Sequence, residues 1–423
     1  MEIHASDILT RSFMKAKIIT FYYIISIIMM ANDAFFTWLG MITHINFWRQ
    51  IITLIGFWIV YTTLKSNDGL VYIKNVYRQY KIIFLILAGF SFITIVFNGY
   101  SLERVAYTLW NYSFGLPFLL FPYYTRRSGW SEHKFNWLFI FLGTFLSMGI
   151  LADFLSGGFF TSSFLLAVTL NEDDFEAGRF CFLSSAPTIF TVYYCFCLFC
   201  LMNEMIASSK AINKFSLLLL SFLFIFGSIF CGSRQTLASL MMVELIGLWN
   251  LFRVNKASLI LAMFALATAY MFLPQAREML SDNQGFQDRY TSEAIQEDER
   301  TKTWKEGFEY CFVNPTIRRV FIGDGVGRTT GRGSALGDTG KHFENTFLAR
   351  ISDVGWIMAF WMLLLPVYYI LKYRNKRLKT SLMYLGIIGA FIFVSMISPN
   401  GAGNTTQMAL FLTLGKVFEE IKG

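Results

Sequence analysis

Arginines are the strongest candidates for ligand binding in this sequence. Their largest group lies in one polar segment at about residues 275–346. The planar guanidinium of arginine holds a phosphate group through two parallel hydrogen bonds, so a cluster of arginines suits a ligand with several phosphate charges. A solvated loop that binds nothing is the alternative interpretation. The cations of the segment are Arg277, Arg289, Arg300, Lys302, Lys305, Arg318, Arg319, Arg328, Arg332 and Lys341.

Two further arginines lie between apolar runs. Ser233-Arg234 separates two runs that leave no room for a long loop, so Arg234 must face a polar cavity or extend to a membrane interface. Arg179 precedes another run in Gly178-Arg179-Phe180. An ionisable group at membrane depth is by default a candidate functional residue. We therefore predict that Arg234 binds a ligand, and we weigh ligand contact and simple anchoring equally for Arg179.

His342 and Glu344 lie close together just before an apolar run that begins near residue 347. Either side chain can act as a general base that takes a proton from a hydroxyl group. The other three histidines, His4, His44 and His133, have no such company and are interpreted as structural.

Metal and nucleotide chemistry find little support in the remaining motifs. The acidic run Glu172-Asp173-Asp174 could bind a divalent cation, but such runs are more often solvated faces, and no metal site is predicted. Gly325-x-Gly327 is followed by Thr330 where a nucleotide-binding motif has a third Gly, and no strand precedes it, so these glycines are interpreted as loop glycines. The six cysteines have no metal-ligand spacing, and no disulfide framework and no cofactor are predicted.

The composition places these residues in a membrane protein. Of 423 residues, 55% are hydrophobic and only 15% are charged, and the mean hydropathy is +0.49. A soluble domain has about 25% charged residues, so a soluble enzyme, a disordered chain and a coiled coil are excluded. The net charge of +8 indicates basic cytoplasmic loops and not binding to nucleic acid.

A membrane-spanning helix needs roughly 20 mostly apolar residues. The sequence predicts an all-α protein with about twelve such helices and one long periplasmic loop between helices 9 and 10. Residues 1–274 then hold spans one to nine, 275–346 the loop, and 347–423 the last three spans. The predicted spans are 18–36, 47–64, 82–98, 105–123, 136–155, 186–203, 215–231, 235–252, 257–274, 347–371, 381–398 and 404–418.

Lysine and arginine set the predicted orientation. Short loops rich in these residues stay in the cytoplasm. With the N-terminus inside, the short inner loops are strongly basic, the outer ones hold scattered arginines, and both termini are cytoplasmic. The inner cations are Lys65, Lys74, Arg78, Lys81, Arg126, Arg127, Lys134, Lys210, Lys214, Arg253, Lys256, Lys372, Arg374, Lys376, Arg377 and Lys379.

In this arrangement the chain resembles the superfamily of bacterial O-antigen ligases and O-antigen polymerases, which are membrane glycosyltransferases. The resemblance covers about residues 215–400, and upstream only Gly178-Arg179-Phe180 and the span count support it. Where the family commonly has His directly before the Asn, this sequence has Glu344, with His342 two residues earlier. The motifs, in order, are Ser233-Arg234, Arg300-x-x-x-Trp304, Pro315, Gly325-x-Gly327, Asn345, Leu348 and Asp353-x-Gly355.

The resemblance implies a metal-independent, inverting transfer at the periplasmic face of the bacterial inner membrane. The donor is a glycan on undecaprenyl pyrophosphate in the outer leaflet, with its lipid tail between the spans. His342 or Glu344 activates or orients the acceptor hydroxyl. The residues expected to hold the pyrophosphate are Arg234, Arg300, Arg289 and Arg179, and the supporting motif residues are Ser233, Trp304, Gly325, Gly327 and Asn345.

Three functions remain open at this point. A polymerase joins lipid-linked repeat units into O-antigen or capsular polysaccharide, and a chain-length regulator is a candidate partner. A ligase uses the same donor chemistry but transfers the glycan to lipid A core. A flippase or other transporter is disfavoured, because no internal repeat is visible and transporters often have similar halves. We favour the polymerase.

Overall fold

Helices account for 87% of the residues that the computed structural model describes, and no strand occurs among them. These residues are 2–45, 47–66, 70–98, 101–165, 180–184, 190–254, 299–327, 345–374, 381–397 and 404–422. The all-helical class predicted from the sequence is therefore confirmed.

The helices are numbered here along the described chain. Short 3₁₀ or π segments at Leu116–Leu120, Thr161–Leu165 and Glu309–Val313 lie between them. The α-helices are α1 (Glu2–Ala31), α2 (Asp33–Thr43), α3 (Trp48–Ser66), α4 (Val71–Asn98), α5 (Leu102–Ser113), α6 (Phe121–Arg127), α7 (Glu132–Leu155), α8 (Thr191–Ala207), α9 (Ala211–Phe230), α10 (Arg234–Val254), α11 (Glu299–Phe308), α12 (Ile317–Phe321), α13 (Thr346–Val354), α14 (Trp356–Tyr373), α15 (Ser381–Ile397) and α16 (Asn404–Lys422).

Six of the described helices are long and apolar enough to cross a membrane, or seven if α2 and α3 form one span bent by 109°. The six are Ser12–Ala31, Val71–Phe97, Glu132–Leu155, Ile212–Phe230, Arg234–Arg253 and Trp356–Tyr373. This result supports a membrane protein, and it does not reach the predicted count of twelve. The predicted span 257–274 and most of the predicted periplasmic loop lie outside the described residues.

The predicted span 18–36 is divided between α1 and α2, with a break at Asn32. Two further predicted spans are not continuous helices. Over 105–123, α5 ends at Ser113 and a 3₁₀ segment precedes α6. Pro117 and Pro122 lack the amide hydrogen that a helix needs. Over 347–371, the chain breaks at Gly355, whose φ of 81° lies in the left-handed region. Hydropathy alone does not register either break.

Two other predicted spans are helices of the interior. Residues 191–206 of α8 are all buried, and so are residues 405–418 of α16. A helix surrounded by other helices needs no lipid-facing surface. This position explains why α8 and α16 are less apolar or shorter than the six candidate spans.

Contacts between helices define two ends of the bundle. At one end, Phe13 packs on Gly129 and the His133 ring lies 2.6 Å from a Glu204 carboxylate oxygen. The start of α1 and the end of α16 both lie here, and we call it the terminal end. At the other end, residues 323–327 and 345–355 meet α4 and α5, and we call it the motif end.

Close packing of α7 against α8 and α9 depends on a small residue. A Cβ atom at Gly143 would lie 2.5 Å from the Phe224 ring and 2.8 Å from Cys197 Cβ. Phe224 of α9 and Cys197 of α8 therefore both pack against this glycine, and movement of only one of them would not make room for a Cβ atom.

We expect Gly143→Ala to destabilise the protein by about 1–3 kcal/mol, because it overpacks this three-helix contact. Gly89→Ala in α4 is the matched control, since a Cβ there meets nothing within 4 Å. Thermal unfolding of both variants in detergent measures the difference. Equal melting temperatures would show that the contact is not tightly packed.

Candidate functional site

The glycine-rich loop at residues 323–327 lies directly against the end of α13. The Asp324 amide donates to the Ser352 carbonyl at 2.7 Å, and the Gly325 amide donates to the Asp353 carbonyl at 3.3 Å. A Cβ at Gly323 would lie 2.6 Å from the Asp353 backbone, and one at Gly355 would lie 2.7 Å from the Phe321 backbone. Two motifs that are about thirty residues apart in sequence thus form one backbone junction, which we call the glycine junction.

A buried ion pair stiffens the loop side of the glycine junction. Arg319 Nε donates to Asp324 Oδ2 at 2.9 Å, and its Nη1 donates to the Tyr310 carbonyl at 2.7 Å. The Tyr310 hydroxyl donates to the same Asp324 oxygen at 2.8 Å. With these partners, Arg319 shapes the loop and is not oriented toward a ligand.

The loop is also tied to α4 and α5. The Val326 amide donates to Thr94 Oγ1 at 3.3 Å, and Arg104 Nε donates to the Gly327 carbonyl. Arg104 is only 5% exposed. Residues 328–344, which follow this anchor, lie outside the described chain.

A second charged group extends from α13 into the bundle. Arg350 and Asp353 are 4% and 3% exposed. The Tyr112 hydroxyl donates to Asp353 Oδ2 at 2.9 Å, and the Arg350 guanidinium lies 3.5 Å from the centre of the Tyr112 ring. These three residues, the α13 triad, connect α5 to α13 just beneath the glycine junction.

Burial and charge act in opposite directions on the α13 triad, which lies outside the six candidate spans. Burial lowers the pKa of Arg350, while Tyr112 and Asp353 raise it. The ordinary pKa of arginine is so high that the side chain remains a cation. Burial raises the pKa of Tyr112 well above its usual value, and Asp353 raises it further, so Tyr112 stays a neutral donor.

Asn345 is the N-cap residue of α13 and fixes the point at which the chain enters this helix. Its side-chain oxygen accepts from the amides of Phe347 and Leu348 at 2.9 and 3.0 Å, as an N-cap residue does. Its side-chain nitrogen donates to the Met396 carbonyl at the end of α15. The chain therefore enters α13 at Asn345 beside the end of α15.

Ser233 and Arg234 open α10 at this same end. Ser233 Oγ accepts from the amide and the hydroxyl of Thr236 at 3.3 and 2.9 Å, so it caps the helix. Arg234 is half-buried at the first position of the helix.

The packing of α10 on α15 places the start of α10. In this packing, Ile246 meets Gly386 and Met242 meets Gly389. Continuing this antiparallel register brings the start of α10 level with Met396.

The predicted site residues fall into three groups. Arg234, Ser233, Gly325, Gly327 and Asn345 lie at the motif end, as described above. Arg300 and Trp304 lie on α11, which leads into the loop side of the junction, and Trp304 is half-buried. Arg179, Arg289, His342 and Glu344, together with Glu172, Asp173 and Asp174, lie outside the described residues. Within the described chain, no group of three His, Cys, Asp or Glu side chains could hold a metal ion.

The sequence analysis missed Arg104, Tyr112 and Arg350. Arg350 carried a detectable signal, since Arg350-x-x-Asp353 places two opposite charges one helical turn apart inside a predicted span. Arg104 carried none, because its partner Gly327 is 223 residues away along the chain.

No family model matches this sequence. No curated protein sequence matches it either.

We expect Gly355→Ala to destabilise the protein more than Gly157→Ala. Both glycines have positive φ, at 81° and 67°, but a Cβ at Gly157 meets nothing within 4 Å. Positive φ strains an L-residue at both positions, and the ψ of 168° at Gly355 lies in a region that almost only glycine adopts. A larger loss at Gly355 therefore reports this backbone conformation together with the contact with Phe321. Melting temperatures in detergent measure both, and equal losses would contradict a tight glycine junction.

Proposed function

We propose that this chain is an integral membrane glycosyltransferase that polymerises undecaprenyl-pyrophosphate-linked repeat units into O-antigen or capsular polysaccharide. One observation carries the proposal: residues of the ordered motif set, which are far apart in sequence, converge at one end of the helical bundle. Gly325 and Asp353 share a backbone hydrogen bond, and Asn345 is bonded to the end of α15. Arg234 begins α10 at that same end.

Charge supports the proposed orientation. The terminal end carries the cations of the predicted inner loops, and short loops rich in lysine and arginine stay in the cytoplasm. The motif end then faces the periplasm, where lipid-linked repeat units await transfer. Described cations at the terminal end are Lys65, Arg126, Arg127, Lys134, Lys210, Lys214, Arg253, Lys372 and Arg374.

The proposed reaction is a displacement at the anomeric carbon of the donor sugar. The acceptor hydroxyl oxygen forms a bond to that carbon on the face opposite the pyrophosphate. The carbon–oxygen bond to the pyrophosphate breaks, and the leaving group keeps the electron pair. His342 or Glu344 receives the hydroxyl proton. No cofactor takes part in this scheme.

Electrostatic stabilisation of the leaving group is the main catalytic contribution in this scheme. Arg234 and Arg300, with Arg289 and Arg179, hold the pyrophosphate through bidentate hydrogen bonds. Arg234 adds its charge at a helix N-terminus, where backbone amides already favour an anion. Ser233 caps that terminus and so orients the first turn.

Deletion of the gene tests the function. Lipopolysaccharide and capsule glycan are extracted from the deletion strain and compared on a gel with those of the complemented strain. A core carrying a single repeat unit, with the ladder lost, supports the polymerase. Free lipid-linked polymer with bare core identifies a ligase instead. Unchanged glycans would contradict both enzymes and would direct attention to transport.

Arg234→Ala is expected to abolish the glycan ladder while the protein still inserts in the membrane. Arg234→Lys is also expected to be poor, by about tenfold or more, because a point charge does not replace the planar fork. Arg253→Lys is the matched control, since Arg253 lies at the far end of the same helix and packs on Trp249. The ladder and the protein level on a blot are measured together. Full activity of Arg234→Lys would refute bidentate pyrophosphate binding.

His342→Ala and Glu344→Gln, made separately, identify the base. The variant that removes the base is expected to lower turnover by about 10²–10⁴-fold, while the other keeps most of the rate. Turnover is measured with lipid-linked units in isolated membranes. Full rates in both variants would exclude both residues from this role.

A further inference from the structure

Exposed apolar side chains occur on a segment of the predicted periplasmic loop. Ile317 and Phe321, which lie one turn apart on the same face of α12, are 82% and 59% exposed. Phe308 and Val313, which precede them, are 54% and 59% exposed. A contiguous apolar surface in contact with water is costly, so such a surface normally has a partner.

The position of α12 beside α4 indicates what this partner is. Arg318 and Ile322 share a small cleft with Phe90 and Thr94 of α4. The candidate span that contains these two α4 residues ends at Phe97. Because a helix rises about 1.5 Å per residue, the cleft lies about 5–10 Å inside the end of this span. The helix α12 is therefore level with the membrane-spanning part of α4.

The same segment packs on the first turn of α14. Trp356 Nε1 donates to the Cys311 carbonyl at 3.1 Å, and the Trp356 ring lies 5.2 Å from the Phe312 ring. The Phe312 ring in turn lies 5.0 Å from the Phe308 ring. Trp356 is the first residue of another candidate span. Aromatic rings are enriched where a membrane meets water, and this row of three rings fits that position.

The neighbouring helices also expose apolar side chains at this level. Val96 and Phe97 of α4 are 56% and 77% exposed, and Ile357 of α14 is 60% exposed. Arg318, on the flank of α12, is exposed too. A long basic side chain can extend from an apolar surface to the lipid headgroups, so Arg318 is compatible with a lipid environment.

We propose that residues 308–322 form an element inserted in the membrane leaflet at the motif end, with Ile317 and Phe321 against the hydrocarbon of the lipids. The end of α12 leads directly into the glycine junction, so insertion holds this junction at a fixed depth. The proposal rests on burial and on the positions of the candidate spans, and it does not depend on the reaction that the protein catalyses.

Spin labels on the full-length protein in nanodiscs test the proposal. Ile317→Cys and Phe321→Cys are made separately and labelled with a nitroxide, and power saturation measures its collisions with oxygen and with a water-soluble nickel complex. Oxygen concentrates in hydrocarbon, whereas the polar complex stays in water. The six native cysteines are buried, and the wild-type protein reports any label that they take up.

Two exposed positions supply the reference values. Glu309→Cys lies in the same segment and is the water-facing control, because a carboxylate in hydrocarbon is costly. Leu85→Cys, which is 64% exposed within the span of α4, is the lipid-facing control. We expect the ratio of oxygen to nickel collisions at residues 317 and 321 to exceed that at 309 by about threefold or more and to approach that at 85.

Two results would overturn the proposal. A ratio at residues 317 and 321 equal to that at 309 would place α12 in water. Few collisions with either reagent would show that protein covers this face, and spin–spin broadening would then identify a second copy of the chain. Melting temperatures report folding, and if one variant does not fold, the other position decides.

Discussion

The glycine junction constrains the arrangement of the whole motif end. Two backbone segments approach so closely that Gly323 and Gly355 leave no space for a side chain. Because the Asp353 carbonyl accepts a hydrogen bond from the Gly325 amide in this contact, the end of α13 is held in place against the loop. The same contact fixes the direction in which Arg350 and Asp353 extend from α13 into the bundle. The entry of α13 at Asn345 follows from the same anchor.

Polar groups within an apolar bundle must find partners inside the protein. Asp153, which is fully buried, accepts the amides of Phe160 and Phe182 at 2.8 and 3.1 Å. At the terminal end, Glu204 contacts both His133 and Asn136, and Lys416 donates to Asn136 at 2.7 Å. These groups are occupied and hold helices together. Arg350 and Asp353 are held in a similar way by Tyr112, which contacts both side chains.

The sequence predicted the long apolar helices well and missed the points at which other predicted spans are broken. The predicted spans 136–155 and 235–252 match α7 and α10 to within a few residues, because apolar composition over about 20 residues is a strong signal. The break at Gly355 depends on a local dihedral angle that hydropathy does not register. Gly325 and Asp353, which both belong to the motif set, share a backbone hydrogen bond in the structure. The partners of Arg104 and Tyr112 depend on contacts more than two hundred residues apart, for which the local sequence holds no signal.

Reconstitution tests the central claim most directly. Lipid-linked repeat units are extracted from the deletion strain and given to the purified protein in nanodiscs, and the products are weighed by mass spectrometry. The account predicts glycans whose masses increase by whole repeat units, with one polyprenyl pyrophosphate released for each bond formed, and no products from Arg234→Ala. Intact repeat units after incubation with folded wild-type protein would contradict it.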